Sequence, residues 1–284
     1  MLDVVTDVHH GGRWTSLRAD GREWLWHRRA PERHRAAPGD AFVDAGGLEE
    51  CVPTVRGRPD HGDAWSRPWS RDGDTDRVRC DSFTLARTIR ATHDGAEADY
   101  TLTAEPGFHF LWAAHALLDL SQDASLHLRG GATTRLFPEA APLLKEPWPA
   151  GAPWVAGSWP APRGLALDRL GPDDGTAIGA VVDTSLCCVH DGRDRLALSL
   201  GVLEQPAARG PLAAGPTAGQ PVSIALWRNL GGFPRTNPYR STGVEPMLGR
   251  VFDLADAGPE DAARVPATGE VRWRLTLTTD CRCP

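Results

Sequence analysis

The sequence predicts an all-β protein: a large antiparallel β-sandwich with few or no helices, formed as a single domain over residues 1–284. Three observations support this prediction. Apolar and polar residues alternate over short segments, which is the period of a half-buried strand. Asp-Gly dipeptides, which suit two-residue hairpin turns, separate several of these segments. Helical periodicity is almost absent, and 284 residues lie within the range of one large sandwich.

Three hairpins are predicted, each centred on an Asp-Gly turn. They span residues 14–26, 83–103 and 177–203, with turns at 20–21, 94–95 and 191–192. In the third hairpin the expected strands are 177–190 and 196–203. Near the C-terminus, Trp273 belongs to a segment whose apolar residues occupy every second position, as in a strand with one buried face.

Two other segments are assigned from composition. Residues 259–264 are the one plausible helix, because a proline in the first turn is followed by two acidic residues. Residues 138–162 are rich in Pro, Ala and Gly but also contain Trp148, Trp154 and Trp159. Since exposed tryptophans are costly, we expect this segment to be a loop folded over a surface.

Composition narrows the possible functions. Lys145 is the one lysine among 31 lysines and arginines, which excludes mechanisms that need more than one lysine. The formal net charge of -6 argues against a nucleic-acid partner, because phosphate binding needs a clustered cationic face. No apolar run of bilayer length is present, so no membrane partner is expected. The N-terminus lacks the apolar core of a signal peptide, and we therefore expect a cytoplasmic location. Oligomeric state is not indicated.

The six cysteines are expected to be reduced thiols, as is usual in a cytosolic chain. Cys187 and Cys188 are adjacent and would point to opposite faces of a strand. Cys281 and Cys283 lack the second Cys-x-x-Cys pair that would complete a zinc site. No metal site is predicted.

Signatures of phosphate binding and of nucleophilic catalysis are missing. The chain contains no Gly-x-x-x-x-Gly-Lys, no Gly-x-Ser-x-Gly and no His-Glu-x-x-His. Together with the single lysine, this argues against phosphotransferases, lysine Schiff-base enzymes and serine hydrolases. Acid–base catalysis by histidine and carboxylate side chains is still compatible with the sequence.

Three residues are candidates for acid–base catalysis. His61 lies in an Asp-His-Gly turn, His115 in an otherwise apolar strand, and Glu245 in a short apolar segment between two glycines. A carboxylate and an imidazole can exchange protons with a substrate near pH 7 when burial tunes their pKa values. Each residue also has a structural interpretation. His61 could be a turn residue, His115 a core histidine, and Glu245 the partner of an arginine.

Tryptophans accompany these histidines. Trp65 and Trp69 follow His61, and Trp112 precedes His115 by three positions, which places it on the other face of that strand. Indole rings suit a pyranose, whose C–H edges are apolar. The three tryptophans are therefore candidates for stacking on a sugar in a carbohydrate-binding cleft.

In their order along the chain, these motifs resemble the aldose 1-epimerase (galactose mutarotase-like) superfamily. The order is an N-terminal hairpin, a His-Gly turn followed by Trp, a strand histidine, a late Gly-Val-Glu-Pro segment, and a Gly-Glu turn before the Trp273 strand. The resemblance covers residues 11–279. It implies a large antiparallel β-supersandwich.

The resemblance also implies an activity, the interconversion of the α and β anomers of a free aldose without a metal or organic cofactor. Glu245 would be the general base that takes the proton of the anomeric hydroxyl. His115 would be the general acid toward the ring oxygen, and His61 would hold or polarise that oxygen. Arg240 would orient the carboxylate or bind a hydroxyl, and Arg58 is a further candidate for substrate binding.

The residues around His115 depart from the family pattern. Ala114 precedes the histidine and Ala116 follows it, where characterised members have Asn-His and then an aromatic run. This departure motivates an alternative, a non-catalytic carbohydrate-binding protein on the same scaffold. In both hypotheses the partner is a small-molecule sugar. A glycan-cleaving enzyme or lyase is a third hypothesis, but such enzymes usually have additional domains.

Overall fold

The fold is built from antiparallel strands. The computed structural model describes residues 2–203 and 219–281. The strands in these residues are β1 (Leu2–Asp7), β2 (Arg13–Ala19), β3 (Arg22–Glu23), β4 (Leu48–Cys51), β5 (Ser70–Asp72), β6 (Thr75–Arg79), β7 (Phe83–Ala91), β8 (Gly95–Ala104), β9 (His109–Phe110), β10 (Trp112–Leu118), β11 (Ser125–His127), β12 (Thr133–Leu136), β13 (Val155–Ser158), β14 (Thr176–Val182), β15 (Leu186–Asp191), β16 (Asp194–Val202), β17 (Val222–Phe233), β18 (Tyr239–Leu248), β19 (Ala263–Arg264) and β20 (Glu270–Thr278). The helical segments in the same residues are short 3-10 turns at Pro31–Arg35, Pro138–Leu143, Pro162–Gly164 and Leu254–Asp256.

Two large sheets form the sandwich. The ten-stranded sheet has the order β1-β2-β4-β10-β18-β17-β14-β12-β13, with β3 paired to β2. The eight-stranded sheet has the order β11-β15-β16-β20-β8-β7-β6-β5, and β9 pairs with β19 in a small separate sheet. The predicted all-β antiparallel sandwich is confirmed.

Aromatic side chains fill the space between the two large sheets. Trp112 from β10 meets Trp273 from β20 with ring centroids 5.1 Å apart. Tyr100 from β8 stacks on Trp273 at 5.4 Å. All three side chains are at most 1% exposed. Tryptophan therefore contributes mainly to the core in this region.

All three predicted hairpins contain a turn, but only the first turn lies at the predicted residues. Asp20 and Gly21 have φ values of 51° and 85°, the left-handed conformation at both positions that a type I′ turn requires. The turn between β7 and β8 was predicted at 94–95 but lies at 93–94, because Gly95 already pairs with Thr92. The turn between β15 and β16 was predicted at 191–192 but lies at 192–193, because Asp191 pairs with Asp194. The C-terminal strand predicted around Trp273 is β20, and its residues alternate between buried and more exposed positions.

Three segment predictions need correction. Residues 177–190 form two strands in different sheets, β14 and β15, rather than one. Residues 259–264 are not helical, because the Asp261 carboxylate accepts a hydrogen bond from the Gly258 amide and closes a turn that leads into β19. The segment 138–162 is not all loop, since β13 pairs with β12 at the edge of the larger sheet.

The cysteine prediction is wrong for one pair. Cys188 in β15 and Cys281 form a disulfide, with Cα atoms 6.1 Å apart, a usual separation for such a bond. Cys51, Cys80 and Cys187 are buried and outside any disulfide, and Cys283 lies outside the described residues. No helix in the described parts of the chain is long and apolar enough to cross a bilayer.

A buried ion pair joins the two sheets. The Arg87 guanidinium in β7 donates to Oε1 of Glu50 in β4 at 2.7 Å, and neither side chain is exposed. The Glu50 carboxylate also accepts hydrogen bonds from the Tyr100 hydroxyl and the Trp112 indole, both at 2.9 Å. The second Nη of Arg87 donates to Asp76 at 3.0 Å. The buried charges are thus compensated from both sheets.

We predict that Arg87→Met lowers the free energy of unfolding by about 3–5 kcal/mol, because it leaves the Glu50 charge buried without a cation. Urea unfolding followed by tryptophan fluorescence measures the change. Arg90→Met in the same strand is the control: Arg90 pairs with Asp99 while 56% exposed, and such pairs contribute about 1 kcal/mol or less. Equal effects of the two substitutions would contradict the proposed importance of the buried pair.

Candidate active site

The candidate site lies on the face of the ten-stranded sheet that is turned away from the eight-stranded sheet. Along β10, Trp112 and Ala114 belong to the main core, whereas Ala113 packs in a separate apolar cluster with Met247 and Phe252. Because strand side chains alternate between faces, His115 lies on the same face as Ala113.

Strand register brings His115 to Glu245. Ala113 is paired with Met247 and Leu117 with Gly243 between β10 and β18, so Glu245 lies across from His115. The Nδ1 atom of His115 is 2.8 Å from Oε1 of Glu245. The contact is an ion pair when His115 is protonated, and Nδ1 makes no hydrogen bond to a described residue.

Glu245 is a buried carboxylate with one oxygen left over. The residue is 1% exposed, and Oε2 accepts no hydrogen bond from any described residue. A buried polar atom without a partner is costly and calls for an explanation, such as a catalytic role. A glycine is needed at position 243, because a Cβ there would collide with the Glu245 carboxylate and approach the Trp227 Cβ to 2.9 Å.

His61 joins the pair from a separate loop. Its φ of 60° is the left-handed conformation, and its Nδ1 lies 3.1 Å from Oδ1 of Asp60. Phe42 stacks on the imidazole with ring centroids 3.6 Å apart. The His61 and His115 rings meet edge to face at 5.0 Å. The structure therefore brings His61, His115 and Glu245 together from three separate parts of the sequence.

The pKa of His115 is raised above its usual value. Burial disfavours the imidazolium and would lower the pKa, but the charge of Glu245 and the contact with it act in the opposite direction. The carboxylates of Asp44 and Glu49 add to the rise. The net direction is upward, so His115 holds its proton to a higher pH than an ordinary histidine.

The pKa of His61 shifts the other way. Burial lowers it, and the nearby charge of His115 lowers it further, whereas Asp60 only partly compensates. Two adjacent histidines thus have pKa values moved apart by their surroundings. In the pH range between them, His115 is an imidazolium and His61 is neutral.

Glu49 lies beside His115 on the strand opposite to the one that carries Glu245. It is the cross-strand partner of His115 in β4, and Nη2 of the Arg33 guanidinium donates to its Oε2 at 3.0 Å. Arg33 and Glu49 are both 2% exposed. The pKa of Glu49 is raised by burial, against the lowering effect of Arg33.

The three candidate tryptophans lie in buried positions. Trp112 points into the sandwich and donates to Glu50. Trp69 is 3% exposed, lies under the Arg87 guanidinium and donates to the Ala64 carbonyl. Trp65 is 1% exposed but touches the site indirectly, edge to face with Phe42 at 5.0 Å. None of the three offers an open ring face to a sugar.

The two candidate arginines are not in contact with Glu245. Arg240 lies five positions before Glu245 in β18 and therefore on the opposite face of the strand. Its guanidinium donates to Asp173 at 2.7 Å. It also donates to the carbonyl of Gly171 at 3.0 Å. Arg58 is exposed in the loop just before Asp60.

Partly exposed aromatic rings that the sequence analysis missed surround the site. Trp227 in β17 is paired with Gly243, next to Glu245 on the same face. Trp26 stacks on Tyr239 with ring centroids 4.6 Å apart, and Phe42 covers His61. The sequence signal for Trp227 is its alternation within β17, but its neighbour in β18 is known only once the strands are paired.

Side chains that could bind a metal ion together lie away from the candidate active site. Among the described residues, the side chains close enough to share an ion are Asp7, His10 and His34, none of which belongs to the His115–Glu245 pair.

Comparison with known proteins gives structural matches only. No family model and no curated protein sequence matches the chain. A candidate aldose 1-epimerase from Escherichia coli K12 superposes with a TM-score of 0.63 at 14% identity, over 98% of this chain and 95% of that one. The chain has the galactose mutarotase-like fold. A galactose mutarotase related enzyme from Lactobacillus acidophilus gives 0.62 at 14% identity, over 99% and 95% of the chains. A galactose mutarotase-like protein from Lactobacillus casei gives 0.57 at 14%, over 98% and 99%.

We predict that the two histidines titrate on opposite sides of pH 6.5, the ordinary histidine value. The Cε1 proton signal of His115 should have its midpoint above this value and that of His61 below it. In Glu245→Gln the His115 midpoint should fall, because burial remains while the raising charge is lost. Proton NMR titration, with signals assigned from His61→Gln and His115→Gln, measures both midpoints.

An unchanged His115 midpoint in Glu245→Gln would contradict this assignment. Glu146→Gln, at a 76% exposed carboxylate paired with Arg163, is the control and should leave both histidine midpoints in place.

Proposed function

We propose that the protein is a carbohydrate isomerase of the aldose 1-epimerase type, which interconverts the α and β anomers of a free aldose. The observation that carries this proposal is the His115–Glu245 pair: a buried carboxylate with one oxygen 2.8 Å from an imidazole and the other without a partner in the described residues. The fold shared with mutarotase-like proteins supports it.

Glu245 acts as the general base. Its Oε2 accepts the proton of the anomeric hydroxyl as the bond between C1 and the ring oxygen breaks. The unpartnered oxygen suits this role, because the substrate hydroxyl supplies the hydrogen bond that the protein withholds.

His115 acts as the general acid. As an imidazolium it carries N–H groups on both ring nitrogens. Nδ1 faces Glu245, and Nε2 is left to donate to the ring oxygen of the sugar. The raised pKa of His115 keeps this proton on the ring to a higher pH than in an ordinary histidine. Each such proton transfer by a positioned side chain contributes roughly 10²–10⁴-fold to the rate.

His61 remains neutral and positions the ring oxygen. Its lowered pKa prevents a second positive charge 5.0 Å from the His115 ring. After the ring opens, rotation about C1–C2 presents the other face of the aldehyde. Ring closure then returns the proton from Glu245 to the new anomeric hydroxyl and a proton from the sugar to His115, so the enzyme ends in its starting state.

Partly exposed aromatic rings provide the apolar contacts for the sugar. Trp227 lies beside Gly243 on the Glu245 face, and Phe42 covers His61. C–H edges of a pyranose pack well on such rings. We assign sugar stacking to Trp227 in place of the buried Trp69 and Trp112.

The alternative function is sugar binding without turnover. One observation favours it: His115 and Glu245 are already in direct contact, and an ion pair that stayed closed in the complex would withhold the acid from the ring oxygen. The two functions differ in whether anomer exchange accelerates.

We predict that Glu245→Gln reduces kcat for anomer exchange by about 10²–10⁴-fold, because the carboxamide cannot accept the proton. Polarimetry on freshly dissolved α-D-glucose and α-D-galactose measures the rate against the spontaneous reaction. Glu146→Gln is the control and should keep the full rate.

A fully active Glu245→Gln protein would contradict the proposed mechanism. A wild-type protein whose tryptophan fluorescence responds to these sugars while their anomerisation stays at the spontaneous rate would favour the binding protein instead.

We also predict that Trp227→Leu raises KM by about 2–10-fold with little change in kcat, because aromatic stacking contributes roughly 0.5–1.5 kcal/mol beyond simple burial. Steady-state polarimetry separates the two constants. Trp148→Leu is the control, since Trp148 is packed against the main core rather than at the site. Equal KM changes in both variants would argue against a stacking role for Trp227.

A further inference from the structure

Two histidines and an aspartate meet near the end of the first strand. Asp7 ends β1, His10 lies in the following turn, and His34 comes from the 3-10 segment Pro31–Arg35. Nδ1 of His10 is 2.8 Å from Oδ2 of Asp7, and the His10 and His34 rings meet edge to face at 4.5 Å. One ligand atom from each of the three residues lies within 4.8 Å of the other two.

The backbone on both sides of this cluster is held in place. The His9 amide donates to Oδ1 of Asp7 at 3.1 Å, which leaves Oδ2 facing His10. The Arg33 guanidinium donates to the His10 carbonyl at 3.1 Å, and Arg33 immediately precedes His34. The turn and the 3-10 segment are therefore connected independently of any ligand between them.

We propose that Asp7, His10 and His34 bind one divalent transition-metal ion, with Zn²⁺ as the best match. Two imidazole nitrogens and one carboxylate oxygen form a ligand set typical of zinc and of its first-row neighbours. With metal–ligand distances of about 2.0–2.2 Å, the ligand atoms of a tetrahedral site lie roughly 3.4 Å apart. Side-chain adjustments on the order of 1 Å would close the site, and His34 is exposed and has room for them.

The charges around the cluster are compatible with a cation. The Oδ1 and Oδ2 atoms of Asp7 contact the His9 amide and the His10 ring, so both partners of this carboxylate lie in the same turn. Arg33 is the cation bonded to this turn, and its guanidinium is already paired with Glu49. Arg33 therefore does not pair with the Asp7 carboxylate, which can bind a metal ion.

A metal here would act on the structure of the neighbouring site. It would tie the turn after β1 to the segment that supplies Arg33, and Arg33 holds Glu49 beside His115. Binding energy at such a site adds to folding stability. The site is separate from the residues of the proposed isomerase chemistry, and its test does not depend on that function.

The test is a titration of EDTA-treated, dialysed protein with ZnCl₂ by calorimetry, and with CoCl₂ by visible absorption. We expect one ion per chain and at least tenfold weaker binding in His34→Ala and in Asp7→Asn. Zn²⁺ should also raise the Tm of the wild type but not that of His34→Ala. Because His34 is exposed, its replacement should leave the fold intact, which circular dichroism checks.

His127→Ala is the matched control. His127 and His190 form another close histidine pair, with ring centroids 4.0 Å apart, and the substitution should leave Zn²⁺ affinity unchanged. Absence of saturable binding, wild-type affinity in His34→Ala, or loss of affinity in His127→Ala would each overturn the proposal.

Discussion

The ion pair between Arg87 and Glu50 joins the two large sheets at a point where neither side chain is exposed. Charges in such a position are stable only when each has its partner and its remaining hydrogen bonds. Glu50 obtains them from both sheets, through Tyr100 and Trp112 as well as Arg87. The pair therefore fixes the sheets relative to each other in a way that apolar contacts, which are non-directional, do not.

The candidate site is built on the opposite face of the same strands. Glu49 is adjacent to Glu50 in β4 and therefore points the other way, toward Arg33 and the strand partner His115. Trp112, which anchors β10 to Glu50, precedes His115 by three positions. The strands that hold the catalytic candidates are thus positioned by the core beneath them. Such support on rigid strands is what an acid–base pair needs to keep its geometry.

Local patterns predicted the antiparallel strands and placed their hairpin turns within one residue, because alternation and Asp-Gly dipeptides act over a few residues. Local patterns failed where the structure depends on a contact between distant residues. An example is the disulfide between Cys188 and Cys281, which are separated by 93 positions. At the site, His61, His115 and Glu245 were candidates from their residue types and sequence settings, but the role of each came only from the resemblance to a known family. Trp227 was missed because its place beside Gly243 depends on strand pairing. Trp112 and His115 are three positions apart in one strand, so their side chains point to opposite faces. This spacing alone argues against placing both residues in one sugar-binding cleft.

The most direct test of the central claim is a crystal structure of the Glu245→Gln protein with D-glucose or D-galactose bound. The proposed chemistry requires the anomeric hydroxyl within hydrogen-bond distance of residue 245 and the ring oxygen facing His115 and His61. A sugar bound with its anomeric carbon directed away from residue 245, or seated elsewhere on the protein, would contradict the proposed role of the pair.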